Sequence, residues 1–343
     1  MPNNFRIQEI ESPQIWESFI QKQKSTVFVQ SPQYGAFYKT LGENFFILGI
    51  LKDGELVGGS LVVTTHARRG NFLYLPYGPF LPAEHTSEAL KVFTDYLKTY
   101  AKKNNYSFIR VSPFLEENSE NIALFKSCKY RSAPMHVLAE TTWILDIRAS
   151  EEILLKNMNK NHRNLIRRCE REAVVITQSR DPKDLEGLDQ MLEVTARRHN
   201  FTKFSRTYIA SEFKSFLPDN TVLFEARLPD GRLDGAAIIM FYGNMACYRH
   251  SASLGLDNKL PTSYLLQWEV IKEAKKRGLY WYNFWGIAPT GANKKHPFFG
   301  ITHFKKGFGG EIRNILHCQD FVVSKKYYFN WIIEQFRKRK RGF

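Results

Sequence analysis

Hydrophobic and polar positions fall into the same pattern twice along this chain. Phe45–Val63 reads FFILGILKDGELVGGSLVV, and Thr221–Phe241 reads TVLFEARLPDGRLDGAAIIMF. Each is an apolar run, an Asp-Gly pair and a second run opening on small residues. Asp-Gly between apolar runs predicts a β-hairpin, because glycine takes positive φ at little steric cost. A second pair of segments follows in the same order. They are YLKTYAKKNNYSFIRVSP, within Lys91–Pro113, and YLLQWEVIKEAKKRGLYWYNFWG, Tyr264–Gly286. In both, apolar residues at helical spacing give way to a basic stop with Asn or Gly, then to an aromatic-rich strand. Both pairs are offset by roughly 175 residues, about one domain length. The pattern predicts two copies of one α/β (α+β) unit, each with a mixed, mostly antiparallel sheet containing a hairpin.

A strand–hairpin–helix–strand order of this kind resembles the acetyltransferase-like (GNAT) fold. The expected architecture is therefore two tandem domains of that type, residues 1–150 and 151–343. A doubly wound nucleotide fold is disfavoured because no GxGxxG follows a strand. The second domain is expected to open on a basic linker, Glu151–Val174, and to end in a basic helix. In the linker Ile153, Leu154, Met158, Leu165 and Ile166 recur at helical spacing. Lys156, Lys160, His162, Arg163, Arg167, Arg168 and Arg171 fill other positions, as in an amphipathic helix or helix pair. A solvated face and an RNA or phosphate contact both fit that pattern.

A length of 343 residues with 43% apolar content suits two domains with real cores and argues against disorder. The 27 Phe and 16 Tyr fill cores or, alternatively, supply stacking and sugar-binding surfaces. Lys and Arg exceed Asp and Glu by 49 to 34. Such a surplus favours polyanions: nucleic acid, pyrophosphate substrates or an anionic membrane face. The run Arg337, Lys338, Arg339, Lys340, Arg341 follows Tyr327, Tyr328, Phe329 and Trp331. It suits an RNA backbone, lipid headgroups or a solvated helix end. Cys128, Cys169, Cys247 and Cys318 include no CxxC pair, so neither a zinc site nor a disulfide framework is expected. The N-terminus MPNNFRIQEIES lacks the apolar stretch of a signal peptide, and no run approaches membrane-spanning length. A cytoplasmic protein is expected, with the inner membrane face as a candidate surface.

The sequence holds no Walker A loop, HExxH, GxSxG or EF-hand pattern, and its histidines lack metal spacing. No metal or other cofactor is expected. The acyl-CoA reader of ordinary acetyltransferases, a Gln/Arg-x-x-Gly-x-Gly/Ala loop opening a helix, is also missing. Its nearest candidate, Arg68, Arg69 and Gly70, falls between predicted strands. A fold of this type without its CoA loop needs another acyl donor.

Several stretches, in a shared order, carry a resemblance that covers essentially the whole chain. They begin with Phe28-Val-Gln-Ser-Pro-Gln-Tyr34, followed by Tyr38 and Lys39, and continue with Tyr74-Leu-Pro-Tyr-Gly-Pro-Phe80. Thr141-Thr-Trp-Ile-Leu-Asp146 then leads into the basic linker. In the second half come His250-Ser-Ala-Ser253, Asn258-Lys-Leu-Pro-Thr-Ser-Tyr-Leu-Leu-Gln-Trp268 and Asn283-Phe-Trp-Gly-Ile287. The series closes on His296-Pro-Phe-Phe-Gly-Ile-Thr-His-Phe-Lys-Lys-Gly-Phe-Gly-Gly310. Together these resemble the FemA/FemB/FemX family of peptidoglycan bridge-forming aminoacyltransferases. No heptad insertion is present, so the shorter FemX-like form without a coiled-coil arm fits better.

The resemblance implies an aminoacyl-tRNA donor and a peptidoglycan-precursor acceptor, UDP-MurNAc-pentapeptide or lipid II, whose stem peptide gains an amino acid. The donor ester already stores the energy, so neither ATP nor a metal is required. What remains is to position the amine, remove its proton and stabilise a tetrahedral oxyanion. From its place in the F-K-x-G-F-G-G motif, Lys305 is the expected catalytic cation. Lys306 would face away if the segment is a strand. Phe304 would pack on the tRNA acceptor end or support the site. By the same similarity Lys39, Arg206, Tyr208 and Tyr264 are candidates for the precursor pyrophosphate, in a cleft between the domains. Tyr77 stands where the family carries arginine. Arg163, Arg167, Arg168, Lys338 and Arg339 are the candidates for tRNA. No general base is identified: Ser112 stands where an acidic strand-end residue is expected, and the substrate itself can accept the proton. A monomer is expected, because two fused copies form between themselves the cleft a dimer would otherwise supply. Two other readings are an acyl-CoA-dependent N-acyltransferase of the same fold and a non-catalytic basic RNA- or membrane-binding module.

Overall fold

A computed structural model describes residues 4–23, 27–67, 70–199, 202–294 and 296–341. Arg68 and Arg69 lie outside them. The first stretch of chain forms β1 (Phe5–Glu9), α1 (Pro13–Gln21), α2 (Pro32–Thr40), β2 (Asn44–Lys52), β3 (Glu55–Thr65), β4 (Phe72–Pro76), α3 (Thr86–Lys103), β5 (Phe108–Ser112), α4 (Ser119–Ser127) and β6 (Arg131–Ser132). There follow β7 (Thr141–Asp146), α5 (Glu151–Asn157), α6 (Lys160–Arg171), β8 (Val175–Ser179), α7 (Leu185–His199), α8 (Arg206–Ser215), β9 (Thr221–Arg227), β10 (Leu233–Tyr242), β11 (Met245–Ser253) and α9 (Thr262–Lys276). The chain ends with β12 (Trp281–Gly286), α10 (Phe299–Lys306), β13 (Glu311–Asn314), β14 (Gln319–Val322) and α11 (Tyr327–Arg341).

Local chemistry accounts for many of these boundaries. Asp53 and Gly54 both take positive φ, 53° and 88°, in the tight turn between β2 and β3. Gly231, at φ 86°, turns the chain between β9 and β10. Ser31, Asn118, Ser150, Asn159 and Ser205 accept hydrogen bonds from the first-turn N–H groups of α2, α4, α5, α6 and α8. The basic linker is a helix pair, broken after Met158, where the backbone turns extended before Asn159 caps α6.

Among the described residues there are two seven-stranded sheets, ordered β1-β2-β3-β4-β5-β14-β6 and β13-β7-β12-β11-β10-β9-β8. Each has a hairpin, then one parallel pair, β4 with β5 and β11 with β12, flanked on both sides by antiparallel neighbours. The two orders match position for position, which bears out the internal repeat. They also show an exchange. The strand after β5 is β14, from the far end of the chain, and the strand beside β12 is β7, which precedes the whole second repeat.

The expected boundary at 150/151, with the C-terminal helix in the second domain, is corrected accordingly. One compact unit holds residues 1–140 and 313–343, and the other holds 141–312. A buried ion cluster accounts for the return of the C-terminus. Arg110 on β5 donates through Nε and Nη2 to Asp320 on β14, both at 2.8 Å, and through Nη1 and Nη2 to Glu334 on α11 at 2.8 and 2.7 Å. Asp320 is fully buried, and the Tyr327 hydroxyl also donates to it, at 3.1 Å. The core of this unit runs through Leu48, Val62, Leu73, Phe93, Ile109 and Phe321. That of the other runs through Leu145, Phe224, Ile239, Trp268, Tyr282 and Phe308.

Candidate active site

In the second unit β11 and β12 pair in parallel from Met245↔Trp281 to Cys247↔Asn283, and the pairing ends there. β11 continues to Ser253 through a bulge that makes Arg249 the extra residue between Tyr248 and His250. β12 continues to Gly286 through an irregularity beyond Asn283, with Trp285 at φ 64°, rare for a bulky side chain. The matching pair in the first unit, β4 with β5, stays in register from Phe72↔Phe108 to Pro76↔Ser112. An interrupted pair frees backbone groups to bond elsewhere.

Lys305 takes up one of them. Its side chain is 4% exposed, Nζ donates to the Gly286 carbonyl at 2.6 Å, and it lies 5.8 Å from the Tyr248 ring centroid. Among the described residues no carboxylate pairs with it. Burial alone pushes the ammonium down to about 7, because the charged form loses its water. The segment is not the strand expected: Phe299–Lys306 is the helix α10. Lys306 does face elsewhere, but by helical rotation; it is exposed, 5.3 Å over the Trp143 ring.

The glycines that follow have spatial reasons. A Cβ on Gly307 would lie 1.9 Å from the His162 ring, and Gly310, at φ 97°, would bring one to 2.4 Å from the Ile144 carbonyl. His162 is buried, Nε2–H donates to the Phe304 carbonyl at 2.9 Å, and Nδ1 has no partner among the described residues. Burial pushes its pKa down, consistent with a neutral ring. Gly307→Ala is therefore expected to destabilise the protein by about 2 kcal/mol through overpacking. A second change, His162→Ala, should recover part of the loss in a double-mutant cycle. Strictly additive losses in denaturant midpoints would contradict the steric cause.

Tyr264 and Phe304, both half-buried, meet edge-to-face at 5.0 Å, with His162 and Phe308 against them. Fully buried Asp234 holds the start of α9, and with it Tyr264, by accepting from the Thr262 hydroxyl at 2.6 Å and the Leu256 N–H at 2.7 Å. Arg206 is exposed at the start of α8, 3.9 Å from Glu186, and Tyr208 stacks on Phe204 with centroids 4.5 Å apart. Beneath them lies a cluster that motif reading missed. Glu212 accepts from Arg249 Nη2 at 3.0 Å and bonds His250 Nε2 at 2.6 Å. Burial opposes its ionisation, but Arg249 and His250 outweigh that and hold the carboxyl at about 2. The Arg249 guanidinium lies 5.4 Å over the Trp285 ring. Its sequence signal was a carboxylate on the apolar face of α8, between Ile209 and Phe213, opposite charges inside an apolar strand.

Lys39 is exposed in the last turn of α2, its ammonium 5.2 Å over Phe45, in the first unit. Tyr77, also in the first unit, is buried against Phe114, and its hydroxyl donates to the Ala139 carbonyl. The hydroxyl at this position, where the family carries arginine, is thus engaged within the first unit. Arg163 is half-buried and donates to the Leu155, Lys156 and Met158 carbonyls, closing the end of α5. Arg167 and Arg168 are exposed on α6, and Lys338 and Arg339 on α11.

The model of the FemAB family matches residues 12–131 and 232–335, a span that includes the Lys305 segment. Aminoacyltransferase FemA of Staphylococcus aureus is 23% identical over 230 residues, 63% of this chain and 48% of that protein. The chain thus spans about half the length of the curated relatives it matches. The crystal structure of FemX is similar with a TM-score of 0.84 at 17% identity, covering 96% of this chain and 100% of that one. A tandem GNAT protein from the clavulanic acid biosynthesis pathway is similar with a TM-score of 0.57 at 11% identity, over 93% of this chain and 99% of that one. Both likenesses bear out the tandem acetyltransferase-like fold. With the family model spanning well over half of the sequence, the chain belongs to the FemAB family.

Proposed function

We propose that this chain transfers an amino acid from an aminoacyl-tRNA to the stem peptide of a peptidoglycan precursor, UDP-MurNAc-pentapeptide or lipid II. The observation that carries the reading is Lys305, buried without a carboxylate partner where β11 and β12 cease to pair. The acceptor amine attacks the ester carbonyl, a C–N bond forms, and charge gathers on the carbonyl oxygen. Collapse breaks the C–O bond to the tRNA ribose, whose oxygen leaves with a proton while the amine loses one. One Lys305 N–H is committed to Gly286, and the others can donate to the oxyanion, a contribution of several kcal/mol in a dry site. With its proton held at about 7, Lys305 can also pass that proton to the leaving oxygen near neutral pH.

Tyr264 and Phe304 offer an aromatic wall for the aminoacyl end. Arg206 and Tyr208 are the proposed contacts for the precursor. Exposed Arg167 and Arg168 are proposed to meet tRNA phosphates. The test is transfer of radiolabelled amino acids, from a mixed pool of charged tRNA, to UDP-MurNAc-pentapeptide and to lipid II. Label on one acceptor names both substrates. Absence of label on either, with folded protein and intact aminoacyl ester, would overturn the reading and favour an acyl-CoA donor.

A further inference from the structure

The helix α11 turns one face to the first sheet and leaves an unusual one outside. Tyr327 and Asn330 are buried, and Glu334 is tied to Arg110, so positions i, i+3 and i+7 face inward. The opposite face carries Tyr328, Phe329, Ile332 and Phe336, with Phe329 62% and Phe336 66% exposed. A helix on a water-facing surface places polar residues there. The charges lie at the two ends of this apolar stripe instead: exposed Lys325 and Lys326 before it, and exposed Arg337, Lys338 and Arg339 in its last turns. The helix's carboxylate, Glu334, is turned inward and already neutralised by Arg110.

We propose that α11 is an anchor that lies in the surface of an anionic lipid bilayer. Its aromatic and aliphatic stripe would enter the boundary between headgroups and acyl chains, and its basic ends would meet lipid phosphates. Among the described residues no helix is long and apolar enough to cross a membrane, so this one lies on it. RNA would use the lysines and arginines but leaves Ile332 and Phe336 without a role. Lys338 and Arg339 are accordingly assigned to lipid rather than to tRNA. The inference does not depend on the transfer chemistry.

Its test is co-sedimentation of the full chain with vesicles of phosphatidylglycerol and phosphatidylcholine, and with phosphatidylcholine alone. Wild type should bind the anionic vesicles at least tenfold more tightly. The variant F329S/I332S/F336S, altered only at exposed positions, should lose at least tenfold of that binding with its unfolding midpoint unchanged. The variant R337Q/K338Q/R339Q should lose the preference for anionic lipid. Four outcomes would overturn the proposal. One is vesicle binding unaffected by the serine variant. Another is failure of wild type to bind at low salt. The third is tRNA binding lost with the glutamine variant while vesicle binding stays. The fourth is self-association in lipid-free solution abolished by the serine variant.

Discussion

Lys305→Met is expected to cost transfer activity about 100- to 1,000-fold, the range for removing an oxyanion donor, and yet to stabilise the folded protein at neutral pH. The second half follows from burial. The Lys305 ammonium is held at about 7 in the folded chain, against 10.5 for an ordinary lysine. Between those values the unfolded chain binds the extra proton and the folded one does not, so stability rises with pH across the window. Below about 7 the full penalty of a buried charge is present, and methionine of similar volume removes it. Denaturant unfolding of the two proteins should therefore differ by several kcal/mol at pH 6 and converge toward pH 10.5. Wild-type transfer should decline as pH rises through about 7, once the acceptor's own titration is accounted for. A variant less stable than wild type at pH 6, or one retaining full transfer, would remove Lys305 from the proposed role.

Asp320→Ala is expected to destabilise the protein by about 3 to 5 kcal/mol, because it strands part of a buried guanidinium. Arg110 would lose both hydrogen bonds to β14 and keep those to Glu334, and the Tyr327 hydroxyl would lose its partner. The loss falls where β14 and α11 join the first sheet. Protease cleavage after residue 322 should therefore become faster in the variant. The pair Arg110→Met with Asp320→Leu, which removes both charges, should recover much of the stability. A loss under about 1 kcal/mol would mean that apolar packing of β14, not the ion cluster, holds the chain end.

Sequence alone determined the repeated hairpins, the helix–strand pairs after them and the capped ends of the basic helices. These depend on neighbours a few residues apart: an Asp-Gly turn, a 3.6-residue period, a serine before a helix. It also singled out Lys305 and Phe304 from one motif and Tyr264 from another, with a different role, through motifs kept in order. Tertiary structure alone decided the rest. Which edge β7 and β14 join is set by partners far along the chain, Trp281–Gly286 for one and Phe108–Val111 with Arg110 for the other. No local pattern encodes that choice, so the division at residue 150 failed. The end of α10 packs on His162 because Gly307 has no Cβ, a contact across more than a hundred residues. The burial that lowers the Lys305 pKa, and the pairing that keeps Glu212 ionised, are properties of surroundings assembled only when the chain folds around them.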